Sequence, residues 1–142
     1  MIYIFDLDGT LADNAHRLHL IDGSGPKDWA RYSALCSEDK PISAGMGVFS
    51  ALRTEDTVLV WSGRDESTRE ATIAWFWKYG IGVLSSHLRL RPSGDYTPGH
   101  LLKRQWLRSL PLATRAAITC AFEDDLLCAT MYRDEGVPCF IS

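Results

Sequence analysis

The chain predicts an α/β fold built on a three-layer parallel sheet, and three observations carry the prediction. Short apolar runs rich in strand formers recur at Ile2–Phe5, Thr57–Trp61 and Ala117–Phe122. Continuous runs of this kind suit parallel strands buried on both faces. Segments with helical character lie between them, which argues for right-handed βαβ units. Finally, each run leads into small, polar or acidic residues: Asp6-Leu7-Asp8-Gly9-Thr10, Ser62-Gly63-Arg64 and Glu123-Asp124-Asp125. In open α/β sheets ligands bind beyond the carboxyl ends of strands, so these residues are expected to face a crevice.

The elements follow in order. After the first strand, Asp13 or Asn14 caps a short helix holding His16, Arg17 and His19, which ends before Gly23-Ser24-Gly25-Pro26. Pro26 suits the first turn of a second helix through Trp29 and Tyr32 to Cys36. Met46, Val48, Phe49 and Leu52 mark a third helix. This excursion is far longer than a βα crossover needs, so about 14–41 reads as a mini-cap inserted over the site. Asp65 caps the helix that runs to Tyr79 and stops at Gly80, and its aromatics Trp75, Phe76, Trp77 and Tyr79 suit core packing better than base stacking. Gly82–Ser86 is expected as a weaker strand, and Leu88–Asp95 as a loop carrying Arg89 and Arg91. A helix from Pro98 to Leu110 holds Lys103, and Leu126–Glu135 is helical until Gly136. Val137–Ile141 closes a sheet of Rossmann-like type.

The totals fit one domain over 1–142. With 142 residues, 46% of them hydrophobic, the chain can bury a core without disulfides or a structural metal. Its net charge of −3 excludes a generally polyanion-binding basic protein. One local stretch differs: Arg89, Arg91, Lys103, Arg104, Arg108 and Arg115 face the single acid Asp95. Such a stretch is either a nucleic-acid contact or a solvated helix face. Cys36, Cys120, Cys128 and Cys139 show no C-x-x-C spacing and read as reduced, small hydrophobes. No leader pattern opens the chain and no apolar run approaches the roughly 20 residues of a membrane span, so a cytoplasmic location without membrane partners is expected.

Asp6 and Asp8 taken alone could be turn formers or a helix cap. Together with Ser62, Lys103 and Glu123–Asp125 they suit phosphoryl transfer. Clustered carboxylates ask for a hard cation, and Mg²⁺ prefers a few carboxylates plus phosphate oxygens. Ser62, nearby backbone N–H groups and Lys103 can then hold phosphoryl oxygens as charge shifts onto them.

In this order the four motifs resemble those of the haloacid dehalogenase superfamily of phosphohydrolases, across nearly the whole chain. More narrowly, Arg17, Ser62-Gly63-Arg64, Arg91-x-x-Gly94-Asp95 before Lys103, and Arg133 before Gly136 resemble the phosphatase domain of phage-type polynucleotide kinase-phosphatases. The resemblance implies Asp6 as a nucleophile that becomes an aspartyl phosphate, Asp8 as general acid and then base, and Ser62 and Lys103 as phosphoryl-holding catalytic residues. It implies Mg²⁺ held at Asp6, Asp8 and Asp124, with Glu123 in place of a usual Asp and Asp125 as a further candidate. Arg17, Gly63, Arg64 and Arg91 are the implied substrate contacts. Gly99 departs from the pattern, standing where that family carries an acid one helical turn before the lysine. The implied substrate is a phosphorylated nucleotide or nucleic-acid 3′ end. No Gly-x-x-x-x-Gly-Lys-Ser/Thr is present, so a kinase or ligase would be a separate partner. Two other readings stand beside this one: a nucleoside monophosphate phosphatase, and a receiver-type phospho-accepting module. A second acid at Asp8 speaks against the latter, since a switch has no need of one.

Overall fold

The computed structural model describes residues 1–142. A five-stranded sheet carries the fold: β1 (Ile2–Phe5), β4 (Thr57–Asp65), β5 (Leu88–Arg91), β6 (Ile118–Glu123) and β7 (Cys139–Ile141). Strands β2 (Ala12–Asp13) and β3 (Lys40–Pro41) form a separate two-stranded ladder. The main sheet has the order β5-β4-β1-β6-β7 and every pairing in it is parallel. Side chains alternate across β1, and that alternation divides the core in two. Tyr3 and Phe5 join one apolar cluster with Met46 and Phe49 of α2 (Ser43–Leu52) and Trp75 and Phe76 of α3 (Arg69–Lys78). Ile4 joins the other, with Trp106 and Leu107 of α4 (Gly99–Ser109) and Met131 and Tyr132 of α6 (Leu126–Asp134). A short helix, α5 (Leu112–Ala116), leads from α4 into β6. The expected three layers are therefore present.

Residues 14–41 leave and return through the β2–β3 ladder, where Ala12 pairs with Pro41 and Asp13 with Lys40. Within them lie 3₁₀ turns at Ala15–Leu20 and Leu35–Glu38 and the short helix α1 (Trp29–Ala34). Asp13 accepts from Ala15 N–H at 3.0 Å at the start of the first turn. The second helix begins later than Pro26 suggests, because Asp28 is its N-cap and accepts from the Arg31 N–H at 3.0 Å. Asp65 and Asp125 are also N-caps, at Ser67 N–H and Cys128 N–H respectively.

Two expectations about strands and helices are corrected. The strand after α3 is Leu88–Arg91, not Gly82–Ser86, because Leu88 and Leu90 alternate into the core while Arg89 and Arg91 lie half-buried on the opposite face of the edge strand. Trp77 is exposed and lies over Gly82, unlike its buried neighbours Trp75 and Phe76. The cysteines are free and buried as expected. No helix is long and apolar enough to cross a membrane.

One close approach fixes the loop after β1. A Cβ built on Gly45 of α2 would lie 2.0 Å from the Thr10 carbonyl oxygen, so only glycine lets α2 pack against this loop. Because backbone cannot yield as a flexible side chain does, Gly45→Ala should destabilise the fold by about 1–3 kcal/mol. A urea titration read by circular dichroism checks this.

Candidate active site

The loop Asp6–Leu11 leaves β1 in a tight turn in which Gly9 N–H donates to Ala12 O at 2.8 Å and Leu11 N–H to Leu7 O at 2.8 Å. Gly9 has φ +83°, and a Cβ there would fall 2.0 Å from Asp124 Oδ2. Glycine therefore serves both the turn and the close seating of the Asp124 carboxylate. On the neighbouring strand, pairing with β5 slips between Trp61 and Asp65, which face Arg89 and Arg91. That irregularity takes Ser62, Gly63 and Arg64 out of regular pairing and aims them at the cavity. Ser62 Oγ accepts from the Arg64 N–H at 3.1 Å, which holds its hydroxyl at the strand end.

Asp6, Asp8, Arg17, Ser62, Gly63, Arg64, Arg91, Lys103 and Asp124 all line one cavity of about 630 Å³, so every site residue expected from the sequence arrives in one place. Within it the charges sort into two groups. The first surrounds Lys103, whose buried ammonium donates to Asp6 Oδ1 at 2.7 Å and also to Glu123 Oε1. Burial acts against the lysine's charge, but Asp6 and Glu123 outweigh it and hold its pKa well above the ordinary value. Asp6, Glu123 and Asp124 each offer a carboxylate oxygen within 4.8 Å of the others. Burial, then the charge of Asp6, pushes Glu123 up to about 8 and Asp124 up to about 7. Glu123 Oε2 is buried with no hydrogen-bond partner. Three acids against one ammonium, all with oxygen donors and one orphaned, fit a hard divalent cation.

The second group surrounds Asp8. Arg17 Nη2 donates to Asp8 Oδ1 at 2.8 Å, and Arg64 donates to the same carboxylate through Nη2 at 2.7 Å and Nε at 3.0 Å. The Asp8 carboxylate faces two guanidinium groups and lies outside the cluster of Asp6, Glu123 and Asp124. Arg17 and Arg64 are also less free for substrate than expected, because a further carboxylate engages both. Arg17 grips Asp39 in bidentate fashion, Nε to Oδ1 at 2.8 Å and Nη2 to Oδ2 at 2.7 Å, and Arg64 Nη2 reaches Oδ2 at 2.8 Å. Arg17 and Asp39 are both 0% exposed. Burial opposes the charge of both arginines, but Asp39 beside Arg17 and Asp8 beside Arg64 turn the net shift upward.

Asp39 is the site residue that sequence reasoning missed. It sits in Glu38-Asp39-Lys40-Pro41, which reads as a solvated turn, and only the need of buried arginines for a carboxylate could have drawn attention to it. Arg91 also differs from expectation. Its Nε donates to Gly63 O at 3.1 Å and its Nη1 to Asp95 O at 3.1 Å and Thr97 O at 2.5 Å. Only Nη2 makes no bond within the chain. Asp125 caps α6 instead of joining the acids. A methyl group added at Gly99, the first residue of α4, would meet nothing within 4 Å, and Glu123 provides the anchor that an acid there would give Lys103.

The basic stretch does not form one patch. Arg108 and Arg115 both pair with Glu135, at 2.6 and 2.7 Å, and Arg89 lies over the rings of Trp61 and Trp106. Lys103 is buried in the site, which leaves Arg104 as the one cation of the stretch without a partner in the chain.

A carboxylate strand-end loop, a hydroxyl, a buried lysine and an acidic cluster on this sheet define a phosphatase of haloacid dehalogenase type. The chain matches the family described as the polynucleotide kinase PNKP phosphatase domain over residues 1–141, and it belongs to that family. Among solved structures, it is similar to a chain of the Pnkp1/Rnl/Hen1 complex, with TM-score 0.76 and 22% identity over 99% of this chain and 45% of that one. A second structure, of the Pnkp1/Rnl/Hen1 RNA repair complex, gives TM-score 0.76 and 24% identity over 99% and 42%. The class C acid phosphatase from Bacillus anthracis gives TM-score 0.68 and 18% identity over 99% and 64%. This chain thus spans less than half the length of the first two chains. No curated protein matches it.

The Asp39 geometry generates a prediction. Asp39→Asn keeps the size but leaves two buried guanidinium groups short of one negative charge. Breaking such a buried pair costs about 3–5 kcal/mol, which urea unfolding of the variant against the parent chain will measure.

Proposed function

We propose that this phosphatase removes the 3′-phosphate of a nucleotide or nucleic-acid end through a phosphoryl-Asp6 intermediate. The observation that carries the reading is the different company of two carboxylates in one cavity, Asp6 on Lys103 and Asp8 on Arg17 and Arg64. One Asp6 oxygen is anchored by the ammonium, which orients the carboxylate for attack on phosphorus. Asp8, with 19% of its side chain exposed, stays open to the cavity while the guanidinium groups fix its direction. Asp8 takes up a proton as substrate binds and one of its arginine contacts gives way. It passes that proton to the departing alkoxide and, as the carboxylate, then takes a proton from the water that cleaves the aspartyl phosphate. Ser62 Oγ, the loop N–H groups and Lys103 hold the phosphoryl oxygens. Mg²⁺ would be held by Asp6 and Asp124, with Glu123 beside them, and would supply neutralisation of phosphoryl and carboxylate charge. Residues 14–41 serve as the cap.

The family match and the likeness to chains from an RNA repair complex support a nucleic-acid end as substrate. The dispersal of the basic stretch favours a second reading, hydrolysis of free nucleoside monophosphates, because few cations remain to follow a polynucleotide backbone.

Comparing kcat/KM for a 3′-phosphorylated oligonucleotide, the matching nucleoside 3′-monophosphate and its 5′-isomer tests the substrate. The 3′-phosphates should be preferred, and each phosphate contact on the oligonucleotide should add about −0.7 to the logarithmic salt slope. A clear preference for the 5′-monophosphate would reject 3′-end processing and leave the nucleotidase reading.

Two variants test the chemistry. Asp6→Asn should abolish turnover while the circular dichroism spectrum is kept. Lys103→Ala should lower kcat on the order of 10²-fold, whereas a change in KM alone would make the lysine a binding residue only. Chelation with EDTA should stop turnover and added Mg²⁺ restore it; full activity in excess chelator would exclude the metal.

A further inference from the structure

We infer that the groove beside the cap is a nucleobase site, with Trp29 as its stacking face, and that it holds the base of the nucleotide whose phosphate is cleaved. The inference rests on the nucleotide reading above and adds where the base goes. The catalytic cavity reaches from Asp6 to Trp29, so the phosphate fills only one end of it. A second groove of about 500 Å³ adjoins at that far end and shares Trp29, Ser33, Asp65 and Thr68 with it. Its remaining walls include Ala30, Ala34 and Ala71, and no lysine or arginine lines it. A track for backbone phosphates needs cations, and this groove has one acid instead. Small neutral walls with one aromatic side suit a flat, uncharged heterocycle.

Trp29 is built for that part. Its indole is 55% exposed although it stands on the first turn of α1, where a smaller polar residue would be tolerated as well. Tyr32 meets it edge-on, with centroids 5.8 Å apart and planes at 87°, and the Tyr32 hydroxyl accepts from Asn14 Nδ2 at 2.9 Å. The guanidinium of Arg17 lies 4.1 Å from the Tyr32 ring centroid. The exposed indole is therefore oriented through Tyr32 by the same arginine that holds Asp8. Lys27 Nζ lies over the indole at 5.7 Å from its centroid and lines neither cavity, so the groove side of the ring is left uncharged. Stacking of this kind accepts any base, since each has a π face.

The test compares a 3′-phosphorylated dinucleotide with the same molecule whose terminal residue is abasic. It uses the wild-type chain, Trp29→Ala, Trp29→Phe and Tyr96→Ala. Tyr96 is the control aromatic, 93% exposed on the loop after β5 and lining the same cavity. Wild type should prefer the base-bearing substrate. Trp29→Ala should lower that preference by about 5- to 100-fold, mainly through KM, as loss of one stacked base does elsewhere. Trp29→Phe should keep most of it, which separates lost stacking from a misfolded cap. An unchanged preference in Trp29→Ala would overturn the inference, as would its loss in Tyr96→Ala alone. If wild type hydrolyses both substrates equally, this inference is overturned while the nucleotide reading stands; if it hydrolyses neither, the nucleotide reading fails and takes this inference with it.

Discussion

Two guanidinium groups shared between two carboxylates tie residues 14–41 of this protein to its sheet. Arg17 comes from the outgoing limb of that excursion, Asp39 from the returning limb, Arg64 from the end of β4 and Asp8 from the loop after β1. None of the four is tolerable alone in this setting, since an unpaired buried charge costs several kcal/mol. Together they are neutral, and their planar forks admit few arrangements. The network contributes little net stability over an apolar packing of the same shape. What it contributes is geometry: Arg17 from residues 14–41 and Arg64 from the sheet hold the same Asp8 carboxylate. Trp75 strengthens the joint, its indole N–H donating to the Asp39 carbonyl at 2.7 Å.

Around Asp6 the balance is different. Asp6, Glu123 and Asp124 surround a single ammonium, so this half of the cavity carries surplus negative charge while the half around Asp8 does not. The upward shifts of Glu123 and Asp124 are the physical expression of that surplus. A cation and a phosphoryl group entering together would meet oxygen donors on one side and Lys103 and Ser62 on the other. Two neighbouring carboxylates of a single loop are thus held in opposite company, Asp6 by a lysine and Asp8 by two arginines.

Most of this was legible because β1, β4 and β6 are apolar runs whose ends carry the chemistry, so period and motif agree. Edge strand β5 was not. Leu88-Arg89-Leu90-Arg91 alternates as an edge strand should, yet its arginines and the following Pro92 resemble a loop, and the apolar Gly82–Ser86 run drew the strand to itself. Asp39 was hidden for a different reason. Its partners Arg17 and Arg64 lie 22 and 25 residues away, and nothing local distinguishes it from the charged turn in which it sits. The basic stretch misled in the same way, because Glu135 pairs with both Arg108 and Arg115 from 27 and 20 residues along the chain. Charge pairing at long range is not a periodic signal, and only the fold reveals it.

The same charge bookkeeping bears on how a substrate is held beyond its phosphate. Arg17 and Arg64 are committed to carboxylates, Arg91 to three carbonyl oxygens, and Arg108 and Arg115 to Glu135. A polynucleotide gripped along its backbone would have to break some of these bonds or find cations elsewhere. A ligand gripped by its terminal nucleotide would not. Recognition would then rest on aromatic and small apolar surface at the cap, which is insensitive to salt and indifferent to chain length. Such a division suits an enzyme that acts on ends. On the proposed reading the phosphate would be read by charge at the sheet, and the residue bearing it by shape beside residues 14–41.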